Sequence, residues 1–355
     1  MSAASEVQFL RNIQRLLDEG DFVATYKFAL LQALADFSVE GAVEGAVEGA
    51  PDAEGALVVP LDRIAEKFIE YYWPQVVPFR PINGSDGILQ QNTGQQASIL
   101  RELLQLRLTF GGKLQLARQD TKLWQRAVRK VAATVREMPL WKLQVVAGKP
   151  EEFLYRQADF KDGAITLLPG VASHFRSFHG LVLRLVRGRW LERVRTVKSN
   201  LPIIGAEADL EGFLFGTGRK ALDAFRDVLR EIDGLSCFYC DRRMNGVPEV
   251  DHFISWSRYP IDLGHNFVLA HPQCNNGKRD FLADLRHLQR WGDRNRQMGM
   301  VLTDGFDAVG LPHDLARSFA IAKWAYSQGE VTGAHTWLTG DQFLKLDESW
   351  RSVLQ

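Results

Sequence analysis

The most informative part of this 355-residue chain is residues 237–278, CFYCDRRMNGVPEVDHFISWSRYPIDLGHNFVLAHPQCNNGK. The segment opens with the Cys-x-x-Cys pair Cys237 and Cys240, and near its end lies the His-x-x-Cys pair His271 and Cys274. Two ligands at this spacing reach one ion from a single tight turn. A lone Cys-x-x-Cys is as often redox-active or incidental as metal-binding, but the chain's only other cysteine lies in the second pair. The four residues therefore predict a closed structural zinc site, and three cysteines do not favour a disulfide framework.

The residues between and after the two pairs predict a small ββα unit. Val250 to Ile254 places apolar residues around an acid and an imidazole, which indicates a strand. Asn266 to Ala270 predicts the partner strand, and Cys274 to Leu285 predicts a helix. Because a unit of this size has a very small core, a bound metal would explain how it keeps its shape.

In order and spacing these motifs resemble the HNH, or ββα-metal, endonuclease family, and imply a bacterial protein with an HNH endonuclease domain. The resemblance is carried by Cys-x-x-Cys, Val-Asp-His followed by two hydrophobic residues, Asn-hydrophobic-Val-Leu, and Cys-Asn-x-x-Lys. It covers about fifty residues, a minority of the chain.

The resemblance implies a role for each of five residues. His252 would be the general base that takes a proton from the attacking water. Asp251 and Asn275 would hold a divalent ion against the scissile phosphate. Asn266 would fix the loop between the strands, and Lys278 would lie near the phosphate.

The chemistry of these side chains agrees with the implied roles. Imidazole, with an unperturbed pKa near 6.5, accepts a proton at neutral pH, while carboxylate and amide oxygens suit a hard ion. The chain departs from the family pattern at Ser255, where Pro is frequent, at His271, where Cys is usual, and at Asn275, where many members have His. Asn275 favours magnesium over softer ions. The expected cofactors are thus a structural Zn²⁺ and a catalytic Mg²⁺ or another divalent ion.

The whole chain predicts an α+β fold that is mainly helical. A chain of this length and composition holds two or three folded domains. The repeated Val-Glu-Gly-Ala unit predicts a flexible acidic loop. We expect a mainly helical region over 1–200 with that loop at 38–56, a connecting helix over 201–234, the HNH module over 235–290, and C-terminal helices over 291–355.

Hydrophobic periodicity and turn residues predict the individual elements. The main predicted helices are Phe22 to Phe37, Leu61 to Trp73, Thr121 to Glu137, Ala172 to Val197, Ala221 to Ile232, Leu282 to Trp291, Leu315 to Tyr326 and Gln342 to Val353. The short predicted strands are Trp141 to Val146, Phe153 to Arg156 and Ile165 to Leu168.

Charge predicts a partner only locally. Lys plus Arg and Asp plus Glu number 43 each, so the net charge points to neither nucleic acid nor membrane. Two tracts, 113–142 and 176–198, are strongly basic, and their candidate DNA contacts are Arg126, Arg129, Arg187 and Arg193. Taken singly, such tracts are equally often solvated helix faces. No stretch has the roughly 18 apolar residues of a membrane span and no signal sequence is visible, so we expect a cytoplasmic location.

We therefore expect an HNH endonuclease that hydrolyses DNA, and the resemblance implies antiviral defence or restriction, possible protein partners in a defence system included. The alternative is a non-catalytic zinc module that binds nucleic acid or a protein partner. A zinc-dependent deaminase is weaker, because it needs an open zinc and a His-x-Glu sequence. The sequence leaves three questions open. These are whether the protein nicks one strand or cuts both, whether its substrate is DNA or RNA, and whether it recognises a specific sequence.

Overall fold

The structure is a computed structural model that describes residues 3–41, 56–80, 86–92, 98–205, 209–216 and 219–355. It separates into two compact units, Met1–Gly216 and Thr217–Gln355. Most of the predicted acidic loop, residues 42–55, lies outside the described residues, and its first residues instead complete a helix that ends at Glu40. None of the described helices combines the length and apolar character needed to cross a bilayer.

The first unit is built from helices with two small antiparallel strand pairs. The helices are α1 (Ala3–Glu19), α2 (Tyr26–Glu40), α3 (Leu61–Tyr72), α4 (Ser98–Thr109), α5 (Leu114–Gln119), α6 (Thr121–Glu137), α7 (Pro139–Lys142), α8 (Val171–Thr196), α9 (Leu201–Ile204) and α10 (Leu210–Phe215). The strand pairs are β1 (Val58–Pro60) with β4 (Ala164–Thr166), and β2 (Val145–Val146) with β3 (Lys149–Pro150).

The core of the first unit forms around α2, whose residues are buried almost throughout. α2 packs against α8, and α3 packs against α6. Asp36 is buried in this core, where it accepts hydrogen bonds from His179 (2.7 Å) and Tyr71 (2.6 Å). Burial alone would raise the pKa of Asp36, but His179 and then Lys67 lower it to about 2. This carboxylate is therefore satisfied within the helical core.

The second unit carries the cysteine segment. Its elements are α11 (Arg219–Asp233), β5 (Glu249–His252), β6 (Phe267–Ala270), α12 (Pro272–Lys278), α13 (Leu285–Val309), α14 (Leu315–Val331), β7 (His335–Thr339), β8 (Gln342–Lys345) and α15 (Trp350–Val353). β5 and β6 are antiparallel, with Asp251 opposite Val268 and His252 opposite Phe267. The prediction of a mainly helical α+β fold is confirmed.

Two predictions for the second unit are wrong at the C-terminal side. The expected helix from Cys274 to Leu285 ends at Lys278, because Arg279 adopts a positive φ of 49° and the chain turns before α13 begins. The expected helix from Gln342 to Val353 is instead β8 followed by the short α15. Trp337 of β7 explains the hairpin, since its indole is buried and its nitrogen donates to Gly340 O in the turn.

Two strand predictions in the first unit are also wrong. Residues 139–142 form α7, so the expected strand from Trp141 begins only at Val145. The expected strand from Phe153 to Arg156 is reduced to one bridge, between Tyr155 and Leu167. Gln144 replaces the missing ladder, because its buried amide bonds the backbone N–H of Leu154 and the carbonyl of Tyr155.

Candidate active site and metal centre

The four predicted zinc ligands lie together. The ligand atoms of Cys237, Cys240, His271 and Cys274 are all within 4.8 Å of one another. The first pair sits in a tight turn, closed by a hydrogen bond from Asp241 N to Cys237 O. The second pair is placed by α12, since His271 is its N-cap residue and Cys274 lies in its first turn.

The donor set fits a tetrahedral ion. His271 directs Nδ1 at Cys240 Sγ, 3.3 Å away, while its Nε2 lies 3.3 Å from the carbonyl of Arg243. Because a carbonyl can only accept, Nε2 carries the proton and the Nδ1 lone pair faces the thiols. Three thiolates and one imidazole are a donor set typical of structural zinc.

The ionisation of the thiols also calls for a cation. Burial acts to raise the pKa of Cys237, but surrounding backbone N–H groups, that of Cys240 first, hold it at about 7. Burial, followed by the negative charge of Cys237, raises the pKa of Cys274 to about 12. The two thiols therefore do not both ionise at neutral pH unless a positive ion neutralises them.

Asp251, on β5, is buried and held from two sides. The hydroxyl of Tyr239 donates to its Oδ2 over 2.5 Å. The ammonium group of Lys278, from the end of α12, lies 3.1 Å from the same oxygen and 3.4 Å from Oδ1. Asp251 is thus held between a hydroxyl donor and the ammonium group of Lys278.

His252 follows on the opposite face of the strand, and its ring is oriented by a carboxylate. Its Nε2 lies 2.8 Å from Oδ1 of Asp262, in the irregular segment between β5 and β6. A carboxylate accepts, so Nε2 carries the proton and Nδ1 keeps a lone pair. The ring packs against Phe267 and Trp256, with centroids 4.6 and 5.6 Å apart. In this arrangement Nδ1 is the ring nitrogen that can accept a proton.

Asn275 lies along the same face of β5 as Asp251. Its Nδ2 donates to Glu249 Oε2 over 2.8 Å, and Glu249 is two residues before Asp251, so both point to one face of the strand. Lys278 is three residues after Asn275 on α12, which explains how one helix face meets both acids. Because the amide nitrogen is engaged by Glu249, the amide oxygen is the atom that remains to meet a cation.

Lys278 does not lie where a phosphate could reach it without a rearrangement. Its side chain is fully buried, and its nitrogen also donates to the carbonyls of His252 (3.0 Å) and Arg279 (3.3 Å). Asn266 is likewise occupied, since its side chain accepts from Ile254 N and donates to Ile254 O. These two bonds join the residue before β6 to the segment that follows β5.

Two family models match the chain, one in each of its two compact units. A model described as a domain of unknown function (DUF8808) matches residues 6–200, more than half of the chain. The chain belongs to the DUF8808 family. An HNH endonuclease model matches residues 237–281, so the predicted HNH domain is confirmed. No curated protein and no solved structure matches the chain.

The HNH domain contains three polar residues that the sequence analysis missed. Glu249 had a usable signal, because it alternates with Asp251 along the strand. Tyr239 and Asp262 had none, since an aromatic residue between two cysteines and an acid in a loop are both common. Their roles depend on the tertiary path that brings Tyr239 to Asp251 and Asp262 to His252.

The four candidate DNA contacts fall in the DUF8808 region and differ in environment. Arg126 and Arg129 are exposed on α6. Arg187 instead stacks over Phe215, 5.1 Å from the ring centroid, and bonds Gln32, while Arg193 donates to Val23 O over 2.7 Å. The second pair therefore has partners inside its own unit.

Proposed function

We propose that this protein is a metal-dependent endonuclease that hydrolyses DNA phosphodiester bonds. The observation that carries the proposal is the hydrogen bond between Asp262 and His252, because His252 lies on the same strand as Asp251. Phosphodiester hydrolysis needs a water activated in line and positive charge to stabilise the leaving oxygen. The HNH domain has a side chain suited to each need.

His252 activates the water in this proposal. Asp262 holds the Nε2 proton, so the lone pair on Nδ1 can accept the proton of the attacking water. As the imidazole becomes positively charged, the Asp262 carboxylate 2.8 Å away stabilises it.

Asp251 and Asn275 would hold the divalent ion. When bound, such an ion supplies the charge that stabilises the phosphate and the departing oxygen. Carboxylate and amide oxygens favour Mg²⁺. Glu249 orients the Asn275 side chain by accepting a hydrogen bond from its amide nitrogen. The four-ligand cluster would hold zinc as a structural ion that keeps α12 against the turn containing Cys237 and Cys240.

We assign Lys278 a part other than the phosphate contact that the resemblance implies. Its buried ammonium group contacts the Asp251 carboxylate and the carbonyls of His252 and Arg279, so it balances the charge of Asp251 and joins the end of α12 to β5. Removing this cation would leave Asp251 buried and unpaired, which is strongly destabilising. The exposed Arg279, next in the chain, is the better candidate for the phosphate contact.

We propose further that α6 contacts the DNA backbone. Exposed cations follow one another at helical spacing along a single face, namely Lys122, Arg126, Arg129 and Arg136. Such a stripe neutralises phosphates without reading sequence. A role in bacterial antiviral defence or restriction rests on the family resemblance alone and stays a prediction.

One observation favours a second candidate, a non-catalytic nucleic-acid-binding or partner-binding module. Asp251 already lies against the ammonium group of Lys278, so a second cation is not required to balance its charge. This candidate predicts DNA or protein binding with no cleavage under any metal.

Incubation of the purified protein with supercoiled plasmid separates the two candidates. We expect nicked or linear plasmid with Mg²⁺ or Mn²⁺, and intact plasmid with EDTA. Intact plasmid in all three conditions, from protein that contains zinc and binds DNA, would favour the binding module.

A further inference from the structure

Tyr239 connects the four-ligand cluster to Asp251. It lies between Cys237 and Cys240 in the tight turn, and its hydroxyl donates to Asp251 Oδ2 over 2.5 Å. The ring is buried against the edges of His287 and Trp337, with centroids 5.2 and 5.3 Å apart. The side chain is therefore a short, packed connection between the turn and β5.

The two oxygens of Asp251 are unequally occupied. Oδ2 accepts from Tyr239 and lies 3.1 Å from Lys278 Nζ, whereas among the described residues Oδ1 meets only that nitrogen, at 3.4 Å. A hydroxyl on one oxygen and an ammonium group near both restrict the rotation of the carboxylate. Tyr239, together with Lys278, therefore orients the lone pairs of Oδ1.

We propose that Tyr239 is a positioning residue through which the four-ligand metal site sets the affinity of Asp251 and Asn275 for the catalytic cation. The proposal rests on the proposed nuclease function for the identity of that second site. Tyr239 directly precedes one ligand cysteine and follows the other by two residues, so any displacement of a thiolate moves its backbone. Coupling of this kind is reciprocal between the two ions.

The test measures cation binding directly, without DNA. Mn²⁺ binding to zinc-loaded full-length protein is followed by electron paramagnetic resonance, and Asp251→Asn defines the signal of this site. In Tyr239→Phe the ring remains and only the hydroxyl is lost, so we expect normal zinc content and about ten-fold weaker Mn²⁺ binding, as for a hydrogen bond to a charged group.

Tyr326→Phe is the matched control. Tyr326 is also buried in the second unit, and its hydroxyl donates to Ala283 O over 2.6 Å. The control loses one buried hydrogen bond but should bind Mn²⁺ like the wild type, which separates positioning from a general loss of stability.

The outcomes distinguish this proposal from the nuclease proposal. Wild-type Mn²⁺ affinity in Tyr239→Phe overturns the positioning role, and so does loss of zinc from that variant, because Tyr239 would then support the first site only. A wild type that binds Mn²⁺ but leaves plasmid intact contradicts the nuclease proposal alone. A wild type that binds no Mn²⁺ contradicts both.

Discussion

Asp262→Asn tests whether a carboxylate orients His252, the proposed general base. The hydrogen bond from His252 Nε2 to Asp262 Oδ1 is 2.8 Å long, and it joins two opposite charges once the imidazole takes a proton. A hydrogen bond to a charged group contributes about 1.5–3 kcal/mol, so its loss in the transition state corresponds to roughly 10- to 150-fold in rate. An amide can also donate to Nε2 and shift the proton to Nδ1, which would lower the rate further.

The assay is the initial rate of plasmid nicking at saturating Mg²⁺, with zinc content and melting temperature measured on the same preparation. Asp280→Asn is the control, because it removes an exposed carboxylate of the same domain that follows α12 closely. The double variant Asp262→Asn with His252→Ala should be no slower than His252→Ala alone. Wild-type cleavage by Asp262→Asn would refute the orienting role, and so would additive effects in the double variant.

The remaining predictions concern zinc, pH and DNA binding. Cys274→Ser should lose zinc and unfold at a lower temperature, and elemental analysis that finds no zinc in the folded wild type contradicts the four-ligand site. Burial, and next the neighbouring His313, lower the pKa of His265 to about 4; the unfolded chain therefore binds more protons below pH 6.5, and stability falls on the order of 2 kcal/mol by pH 5. Urea unfolding at neutral pH and at pH 5 measures this loss, and His265→Gln should lose less stability than the wild type. An equal loss in the variant would contradict the role of His265. Charge reversal at Arg126 and Arg129 should weaken binding to unrelated DNA sequences equally and flatten its salt dependence by about one unit of slope per phosphate contact, and an unchanged slope places the DNA elsewhere.

The sequence was most informative where chemistry depends on close spacing. Cys237 with Cys240, and His271 with Cys274, are recognisable because ligands three residues apart must share a turn. The long helices α6 and α8 were also predictable, because apolar residues repeated at helical spacing indicate a helix with one buried face. These features need no knowledge of the rest of the fold.

Features set by long-range packing were not predictable in this way. The resemblance placed Lys278 near the phosphate, but its side chain is buried against Asp251. The sequence from Gln342 predicted a helix, but residues 342–345 pair with β7 and form a strand. Lys278 meets a residue 27 positions earlier in the chain. β8 pairs with the neighbouring β7, and β7 is held in turn by backbone hydrogen bonds to Leu282 and Asp284, which are distant in sequence. Such contacts override the local preference.

The most direct test of the central claim is the cleavage rate of His252→Ala under saturating Mg²⁺. The substitution leaves all four zinc ligands in place and removes the imidazole that we propose accepts the proton. The variant should fold, retain zinc and bind DNA, but cut plasmid at least about 100-fold more slowly than the wild type. Cleavage at the wild-type rate by a stable, zinc-containing His252→Ala protein would contradict the assignment and place any nuclease activity at another site.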